Sequence, residues 1–381
     1  MKVILAFDSY KGSLTAAEAC AAAAEGAARL TGTETVSCPL SDGGEGFAEA
    51  MRVAGGEARA LEVTGPLFTP AHAAIVYLDG GKTAVIESAQ ACGLGLVPVD
   101  QRSPLRTTTR GLGEMLAAAV EAGATTLVVG LGGSATNDGG MGLLAGLGWQ
   151  FLDKDGQPLA PVGASLGQVA RILPGRRLEG VSIIAACDVT NPLYGPQGAA
   201  YTFAPQKGAS PDDVAVLDAG LRHYAEVCAE FLGEDFSDRP GAGAAGGLGF
   251  ALLAFLGATF KPGAALAIEL TGLEEHLRGA DLCLTGEGQT DFQTAYGKLP
   301  AAVAACSRAA GVPCVCLSGA LGEGWRTLYD HGFTALFSIC RRPQDLDAAL
   351  AESYEALADA AEAVVRLRDG LETTDFADYT D

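Results

Sequence analysis

The sequence predicts an α/β protein with two lobes, one of them built from both ends of the chain. The chain has 381 residues, which exceeds the size at which a single hydrophobic core keeps growing. Hydrophobic residues make up 49% but aromatic residues only 7%, and 52 residues are glycine, a composition that favours strands and helices joined by tight turns. Short apolar runs alternate with helical patterns at both ends, so we expect the two termini to share one lobe.

The predicted elements follow this alternation along the chain. Strands are predicted where short apolar runs stand between turn residues, at residues 3–7, 35–38, 61–63, 74–78, 84–87, 126–129, 183–186, 282–285, 312–317 and 335–339. Helices are predicted at residues 16–30, 105–121, 250–255 and 345–368. Thr15 and Glu18 have the spacing of a capping box at the start of the first helix. The acidic tail at residues 371–381 is predicted to be disordered.

The charge of the chain argues against nucleic acid and membranes as partners. A formal net charge of −21 would repel phosphate backbones and anionic lipid headgroups. No apolar stretch approaches the length of a membrane span, and the N-terminal apolar run is too short for a signal peptide. The ten cysteines form no C-x-x-C pair, which is typical of reduced thiols. We therefore expect a cytoplasmic protein whose partners are small molecules.

Glycine-bearing loops follow strands or open helices at five places. They lie at residues 8–13, 41–46, 130–140, 241–249 and 286–291. Glycine lets backbone N–H groups approach phosphate oxygens closely, and a helix N-terminus adds a favourable dipole for an anion. Lys11 adds positive charge, and Asp188 and Asp291 suit Mg²⁺, which needs only one or two protein carboxylates. These parts together indicate phosphoryl transfer, which requires mainly positioning and charge neutralisation.

Each of these residues also has an ordinary structural interpretation, which stays open at this point. Asp42 has the position of a helix cap, and Asp8 at a strand end has that of a turn residue. Asp188, shortly before a proline, is compatible with an Asx turn. Lys11, taken singly, is typical of a solvated lysine at a protein surface, and Lys298 is compatible with a helix N-terminal residue without function. Only the accumulation of such loops favours a functional site.

Two familiar nucleotide-binding motifs are excluded by the sequence. The Gly-Lys-Thr at residues 81–83 has Val76 where a Walker-type loop needs glycine, and the Gly-Lys at residues 297–298 has Phe292 there. Residues 241–246 match G-x-G-x-x-G, but the segment before them is polar and ends in proline rather than forming a strand. The sequence therefore lacks the structural context that a dinucleotide-binding dehydrogenase needs.

Beyond these loops, the sequence closely resembles the type-1 glycerate kinases. The matching segments run in order along nearly the whole chain, at residues 8–13, 42–46, 64–67, 130–142, 188–193, 205–209, 240–249, 285–291 and 297–298. The resemblance implies a flavodoxin-like, doubly wound parallel-sheet lobe from both termini and an inserted mixed α/β lobe, with an active cleft between them. We place the first domain at residues 1–58 and 288–381 and the inserted domain at residues 59–287.

The resemblance also implies a reaction and its partners. It implies an ATP-dependent kinase that converts D-glycerate to 2-phosphoglycerate and ADP, with Mg²⁺ as cofactor and no nucleic acid or membrane partner. The same reaction giving 3-phosphoglycerate stays open, as does a non-catalytic protein that binds glycerate or nucleotide. A monomer and a homodimer are both compatible with the sequence.

The resemblance further implies roles for single residues. Lys11 is expected to neutralise the transferring phosphate or the substrate carboxylate, and Asp42 to accept the hydroxyl proton. Asp188, the third predicted catalytic residue, is expected to bind or orient Mg²⁺ together with Asp291. The residues expected to bind substrate or phosphate are Ser9, Ser13, Gly43, Gly132, Gly133, Ser134, Asn137, Asn191, Lys207, Gly246, Gly247, Gly286, Glu287 and Lys298.

Overall fold

The computed structural model describes residues 1–295 and 297–373. The strands in these residues are β1 Lys2–Leu5, β2 Glu34–Ser37, β3 Glu57–Thr64, β4 Pro70–Leu78, β5 Thr83–Glu87, β6 Thr126–Gly130, β7 Gln150–Leu152, β8 Arg171–Leu173, β9 Ser182–Ala186, β10 Thr259–Lys261, β11 Leu282–Thr285, β12 Gln289–Thr290, β13 Cys314–Ser318, β14 Ala320–Leu321 and β15 Ala335–Ser338. The helices are α1 Ala16–Ala28, α2 Phe47–Val53, α3 Ala89–Cys92, α4 Arg110–Glu121, α5 Met141–Gly146, α6 Ala199–Phe203, α7 Pro211–Leu232, α8 Ala244–Leu256, α9 Gly263–Thr271, α10 Leu273–Leu277, α11 Leu299–Ala309, α12 Leu346–Ala351 and α13 Ser353–Thr373. None of the helices described has both the length and the apolarity needed to cross a membrane.

The sequence patterns predict the positions of most strands and helices correctly. Each predicted strand overlaps an observed strand, and the capping box of α1 is present, because Glu18 N–H donates to Thr15 Oγ1 at 3.2 Å and Thr15 N–H donates to Glu18 Oε2 at 2.8 Å. The helix predicted at residues 345–368 is wrong as a single helix, since it consists of α12 and α13. Residues 371–373 continue α13, and the rest of the tail predicted to be disordered lies outside the described residues.

The first compact unit contains a five-stranded, fully parallel sheet. It comprises Met1–Asp42, Glu49–Gly55 and the chain from Ala264 onward. The strand order is β2-β1-β11-β13-β15. Counted within this unit alone, the order is 2-1-3-4-5, which is the flavodoxin-like doubly wound arrangement. The predicted fold class is therefore confirmed.

The two ends of the chain share one core in this unit. Helix α1 packs along α13, and the carbonyl of Ala358 occupies the space that a Cβ at Gly26 would need. Arg29 Nη1 donates to Asp359 Oδ1 at 2.9 Å and to Glu362 Oε2 at 3.1 Å, linking the same two helices at the surface. The C-terminal helix is thus part of the structure that supports β1.

The second compact unit contains a six-stranded mixed sheet. It comprises Gly43–Ala48 and Gly56–Gly263. The strand order is β3-β4-β5-β6-β9-β10, in which β3 and β4 pair antiparallel and β5, β6, β9 and β10 run parallel to one another. A large apolar core includes β4, β5, β6 and β9 together with helices α4, α5, α7 and α8. This architecture agrees with the predicted mixed α/β lobe.

The two units divide the chain at other residues than the predicted domain bounds. Residues 264–287, predicted to lie in the inserted domain, belong to the first unit, because β11 pairs with β1. Residues 43–48, predicted to lie in the first domain, belong to the second unit, where Gly132 N–H donates to Gly43 O at 3.2 Å. These two differences come from long-range contacts, which a linear pattern does not reveal. Residues 56–58, also predicted to lie in the first domain, belong to the second unit, because β3 pairs with β4. The predicted active cleft between the lobes stays a prediction.

Candidate active site

The carboxyl ends of three neighbouring strands in the first unit bear acidic and basic residues. Asp8 and Lys11 follow β1, Asp42 follows β2, and Glu287 follows β11. Because β1 lies between β2 and β11, the loop after β1 is the central one of the three. In doubly wound sheets, the point where successive connections leave β1 in opposite directions is where ligands bind. The fold therefore places these side chains at the edge of the sheet where ligand-binding sites most often form.

Backbone hydrogen bonds hold these three loops side by side. Asp8 N–H donates to Gly286 O at 3.1 Å, so the central loop is tied to the residue directly before Glu287. Leu40 N–H donates to Phe7 O at 3.0 Å, which ties the same loop to the segment that leads to Asp42. Asp8 consequently lies between the loops that carry the other two carboxyl groups.

Lys11 lies on a tight, well-bonded turn. Tyr10 N–H donates to Leu14 O and Ser13 N–H donates to Tyr10 O, both at 2.8 Å. The buried Tyr10 hydroxyl donates to Leu317 O, which anchors the turn to the end of β13. Ser13 Oγ, predicted to bind substrate or phosphate, donates to Tyr10 O at 3.2 Å and so helps to close this turn. The turn presents the exposed Lys11 side chain from a fixed backbone.

Asp8 is a half-buried carboxyl group in an unusual electrostatic setting. Ser9 N–H donates to Asp8 Oδ1 at 2.6 Å. Burial raises the pKa of Asp8 from 3.8 to about 7; the hydrogen bonds from Ser9 lower it, and the negative charges of Asp42 and Glu287 raise it further. Sequence reasoning assigned Asp8 only a turn role. The available signals for more were its place after the first strand and its position in the segment 8–13 that matches the family.

Glu287 is buried and holds Lys298 in place. Glu287 Oε1 accepts hydrogen bonds from Thr290 Oγ1 at 3.1 Å and Thr294 Oγ1 at 2.7 Å, while Oε2 lies 3.3 Å from Lys298 Nζ. Thr290 Oγ1 in turn is hydrogen-bonded to Ser318 Oγ at the end of β13. Lys298 also occupies the N-cap position of α11, which matches its bland interpretation. The buried carboxylate nevertheless restricts where its ammonium group lies.

In the second unit, close backbone packing accounts for several predicted phosphate-binding glycines. A Cβ at Gly132 would overlap Gly44 Cα, and a Cβ at Gly43 would lie 2.5 Å from Ala186 Cβ. Gly43 also has φ +92°, a conformation that favours glycine. Gly133 differs from these, because it is exposed and its Cβ would come no closer than 3.3 Å to Ala89 Cβ. Packing therefore leaves Gly133 as the best placed of these glycines to meet a ligand.

The loop at residues 241–249 packs against the glycine loop after β6. A Cβ at Gly246 would overlap Thr136 O, and a Cβ at Gly247 would lie 2.6 Å from Gly139 Cα. Gly139 N–H donates to Gly246 O at 3.0 Å. The φ values of Gly246 and Gly247 are +74° and +91°, so the first turn of α8 is not regular helix. These glycines are required by contact between two loops, whatever else they bind.

Lys207 supports the glycine loop from inside the second unit. The side chain is 2% exposed, and its Nζ donates to Ser134 Oγ at 2.9 Å and to Thr136 O at 2.6 Å. Burial lowers the pKa of Lys207 to about 8. Asn137 is completely buried, and neither its amide nitrogen nor its amide oxygen has a partner in the described residues. The predicted phosphate-binding roles of these residues stay predictions.

Asp138 fixes the far end of the same loop and was missed by sequence reasoning. Its Oδ2 accepts from Thr109 N–H and Thr109 Oγ1, both at 2.8 Å, and from Gly142 N–H at 3.1 Å. Its Oδ1 accepts from Gly140 N–H at 3.0 Å. Burial raises the pKa of Asp138, and these hydrogen bonds oppose that rise. Because Thr109 precedes α4, this contact also explains why α4 begins at Arg110 and not at the predicted residue 105.

The start of α2 is held by a second buried carboxyl group that the sequence did not reveal. Glu87 is 4% exposed, and its oxygens accept from Gly46 N–H at 3.3 Å and Ala48 N–H at 3.1 Å. Helix α2 begins at Phe47, so these are amides at its N-terminus, which lack partners within the helix. Burial raises the pKa of Glu87. Asp42 lies five residues before Phe47, so it is not the N-cap of α2, and its catalytic role stays a prediction.

The loop after β9 places Asp188 and Asn191. Asp188 is exposed, and its Oδ1 accepts from Gly263 N–H at 2.9 Å, at the start of α9. Asn191 Nδ2 donates to Gln197 O at 2.7 Å, and Gly243 N–H donates to Asn191 O at 2.9 Å. Both residues therefore help to order this part of the second unit.

Comparison with known proteins decides the family. A family model described as "Glycerate kinase family" matches residues 3–369. The glycerate kinase of Bacillus subtilis (strain 168) is 45% identical over 93% of this chain and 94% of its own length, and the glycerate 2-kinase of Escherichia coli (strain K12) is 43% identical over 95% and 96%. The crystal structure of a protein described as glycerate kinase 2 from Salmonella typhimurium LT2 has a TM-score of 0.87 and 39% identity, covering 98% of this chain and 100% of that one.

The chain belongs to the glycerate kinase family. This confirms the predicted resemblance, and it makes the protein a kinase. The predicted site residues of this family member fall into two groups. The first unit carries Ser9, Lys11, Ser13, Asp42, Gly286, Glu287, Asp291 and Lys298. The second unit carries Gly43, Gly132, Gly133, Ser134, Asn137, Asp188, Asn191, Lys207, Gly246 and Gly247.

The carboxylates of this glycerate kinase family member suit Mg²⁺ by their chemistry. Asp188 Oδ1 accepts from Gly263 N–H at 2.9 Å, and Asp291 accepts from Gln293 N–H at 2.8 Å and from Gln289 Nε2 at 3.4 Å. Carboxylate oxygens are a ligand type that Mg²⁺ prefers. No three His, Cys, Asp or Glu side chains in the described residues are grouped to hold a metal. Mg²⁺ on phosphates needs only one or two carboxylates and keeps several waters.

Proposed function

We propose that this protein transfers the γ-phosphoryl group of Mg-ATP to the 2-hydroxyl group of D-glycerate, giving 2-phosphoglycerate and ADP, in the cytoplasm. The observation that carries the proposal is the carboxyl edge of the flavodoxin-like sheet. There the loop after β1 carries an exposed lysine and a carboxyl group with a pKa of about 7, and the adjacent segment after β11 carries a lysine held by a buried glutamate. The name of the Escherichia coli relative, glycerate 2-kinase, favours the 2-hydroxyl group. Transfer to the 3-hydroxyl group is the alternative.

The residues of the first unit match the charge requirements of phosphoryl transfer. The reaction moves a highly charged group, so it is accelerated mainly by positioning and by charge neutralisation. Lys11 supplies an exposed positive charge, and Glu287 keeps Lys298 in a restricted position as a second one. A carboxylate of the same edge accepts the hydroxyl proton, for which Asp42 is the candidate from sequence.

The second unit contributes a loop suited to an anion. Gly133 is exposed with φ +75°, and the neighbouring Ser134 hydroxyl is positioned by the buried ammonium of Lys207. We assign phosphate binding to this segment. Asp188 in the second unit and Asp291 in the first unit are each candidate ligands for Mg²⁺, which when bound would neutralise charge on the phosphate oxygens.

The proposal is tested by product analysis and by substitution of Lys11. The full chain, supplied with Mg-ATP and D-glycerate, is expected to release ADP in a coupled assay. Phosphorus NMR of the product identifies the acceptor, because a phosphate on C2 couples to one hydrogen and a phosphate on C3 to two. Lys11→Ala should lower kcat/KM by about 10²- to 10³-fold, as expected for loss of a group that stabilises transition-state charge.

The matched control is Lys82→Ala, which removes another exposed lysine, located beside β5 in the second unit. We expect this variant to keep the activity of the wild type. If the chain binds glycerate and ATP but releases no ADP, it is a non-catalytic binding protein and the proposal fails. Equal activity of the two lysine variants would remove Lys11 from the site.

A further inference from the structure

The three carboxyl groups at the edge of the first sheet differ in what surrounds them. Glu287 is buried, and its two oxygens are engaged by two threonine hydroxyls and by Lys298. Asp42 is exposed to solvent. Asp8 is half-buried on the central loop, between the other two, and Ser9 N–H fixes its Oδ1 at 2.6 Å. Asp8 thus combines an oriented carboxyl group with partial shielding from water.

We infer that Asp8, rather than Asp42, accepts the proton of the substrate hydroxyl group, and that Asp42 acts on Asp8 as a neighbouring negative charge. This inference rests on the proposed function. Its geometric basis is the switch-point position of the loop after β1. A hydrogen bond from Asp8 N–H to Gly286 O ties this loop to the loop after β11, and one from Leu40 N–H to Phe7 O ties it to the segment after β2. Lys11 follows Asp8 on the same loop, so a phosphate-binding charge and a proton acceptor are presented together.

The chemical step balances with Asp8 as the proton acceptor. The glycerate hydroxyl oxygen attacks the γ-phosphorus, and a new O–P bond forms. The bond from that phosphorus to the β–γ bridging oxygen breaks, and ADP leaves with its electron pair. The hydroxyl proton passes to the Asp8 carboxylate and then to solvent as the products leave. Glycerate and ATP are consumed, and phosphoglycerate, ADP and one proton are produced.

The charges that face Asp8 support this assignment. Asp42 approaches from the loop after β2 and Glu287 from the loop after β11, while Lys11 lies on the loop of Asp8 itself and Lys298 offsets part of the Glu287 charge. Together with burial, the two carboxylates raise the pKa of Asp8 to about 7. A base is most effective when its pKa lies near the working pH. Asp8 can therefore both take up and release a proton during turnover.

The decisive experiment compares pH–rate profiles of the wild type, Asp8→Asn and Asp42→Asn between about pH 5.5 and pH 9. Asp8→Asn should lower kcat by about 10²- to 10⁴-fold, leave KM for ATP nearly unchanged, and abolish the fall of kcat on the acid side. Asp42→Asn should lower kcat less and move the acid-side fall to lower pH, because a neighbouring negative charge is lost.

A second measurement keeps the inference testable if Asp8→Asn does not fold. In the wild-type chain labelled with ¹³C at aspartate carboxyl groups, one resonance should titrate near pH 7 and be missing from Asp8→Glu. Asp8→Glu keeps a carboxyl group and should retain an acid-side fall in kcat. If the Asp8 resonance titrates with ordinary aspartates, the inference is wrong.

Other results would also overturn the inference, and they are distinct from failure of the proposed function. If Asp8→Asn keeps the wild-type pH–rate profile, Asp8 does not accept the proton. If only Asp42→Asn loses the acid-side fall in kcat, Asp42 accepts it. If Asp8→Asn chiefly raises the Mg²⁺ concentration needed for half-maximal rate, Asp8 is a metal ligand. A wild-type chain that forms no phosphoglycerate refutes the proposed function itself.

Discussion

At the scale of the residue, Asp8 shows how burial changes what a carboxyl group does. An exposed aspartate ends many strands as a turn residue, and nothing local distinguishes Asp8 from those. The difference comes from partial burial and from two negative neighbours, Asp42 and Glu287, that the fold brings to adjacent loops. The same surroundings that suit Asp8 for proton transfer also make its ionisation unfavourable for stability.

This cost should be visible in the pH dependence of unfolding. The pKa of Asp8 rises from 3.8 to about 7 on folding, so between these values the folded chain binds more protons than the unfolded chain. The contribution of Asp8 to the free energy of unfolding is therefore fully present below about pH 4 and is lost as pH rises through about 7. Relative to the wild type, Asp8→Asn should gain on the order of 2 kcal/mol in unfolding free energy from about pH 4.5 to pH 7.5, after allowance for partial exposure.

Urea denaturation of both proteins at the two pH values measures this change. A difference between variant and wild type that is constant with pH would show that Asp8 ionises alike in the folded and unfolded chain. That result would also remove the electrostatic support for Asp8 as a base.

At the scale of the element, the glycine loops serve packing as well as any ligand. The loop after β6 packs against the segment at Gly43 and Gly44. Residues 241–249 pack against the same loop after β6. Local sequence patterns identified these loops as phosphate cradles because glycine allows close backbone approach. In this fold the backbone that approaches Gly132 or Gly246 is the protein's own.

Substitution of Gly132 separates the two roles. Gly132→Ala places a Cβ in overlap with Gly44 Cα, so we expect a loss of about 1–3 kcal/mol in unfolding free energy by urea denaturation. The matched control is Gly95→Ala, because Gly95 is exposed and a Cβ there meets no atom within 4 Å. This control should change stability by less than about 0.5 kcal/mol. Wild-type stability with lost activity in Gly132→Ala would instead indicate a ligand-binding role alone.

Helix ends show which signals are local. The capping box at Thr15 and Glu18 spans three residues, and it was predicted and is present. The start of α4 depends on a hydrogen bond from Thr109 to Asp138, 29 residues further along the chain. Residues 105–109 contain no glycine or proline that would mark a boundary, so the sequence alone started the helix too early. Caps made by neighbouring residues are thus readable, whereas caps made by tertiary contacts are not.

At the scale of the whole molecule, the C-terminal helix is part of the core of the N-terminal strand. Leu357 on α13 is completely buried in the cluster that contains Val3 and Leu5 of β1. Leu357→Ala should therefore cost about 2–5 kcal/mol in unfolding free energy, measured by urea denaturation.

The control lies on the same helix. Leu367 is 60% exposed, and Leu367→Ala should stay within about 0.5 kcal/mol of the wild type. Equal stability of the two variants would contradict a core shared by both termini. A large effect of Leu357→Ala on cooperative unfolding would show that residues near both ends fold together.

The sequence by itself determined the α/β class, the lobe shared by both termini, the first helix cap and the family, because each is encoded in local periodicity or in short motifs that run in order along the chain. Only the tertiary structure decided that Asp8 is central among three carboxyl groups, that Lys207 is buried beneath the glycine loop, and that Gly132 is required for packing. These properties depend on neighbours far apart in sequence, which only the folded chain brings together.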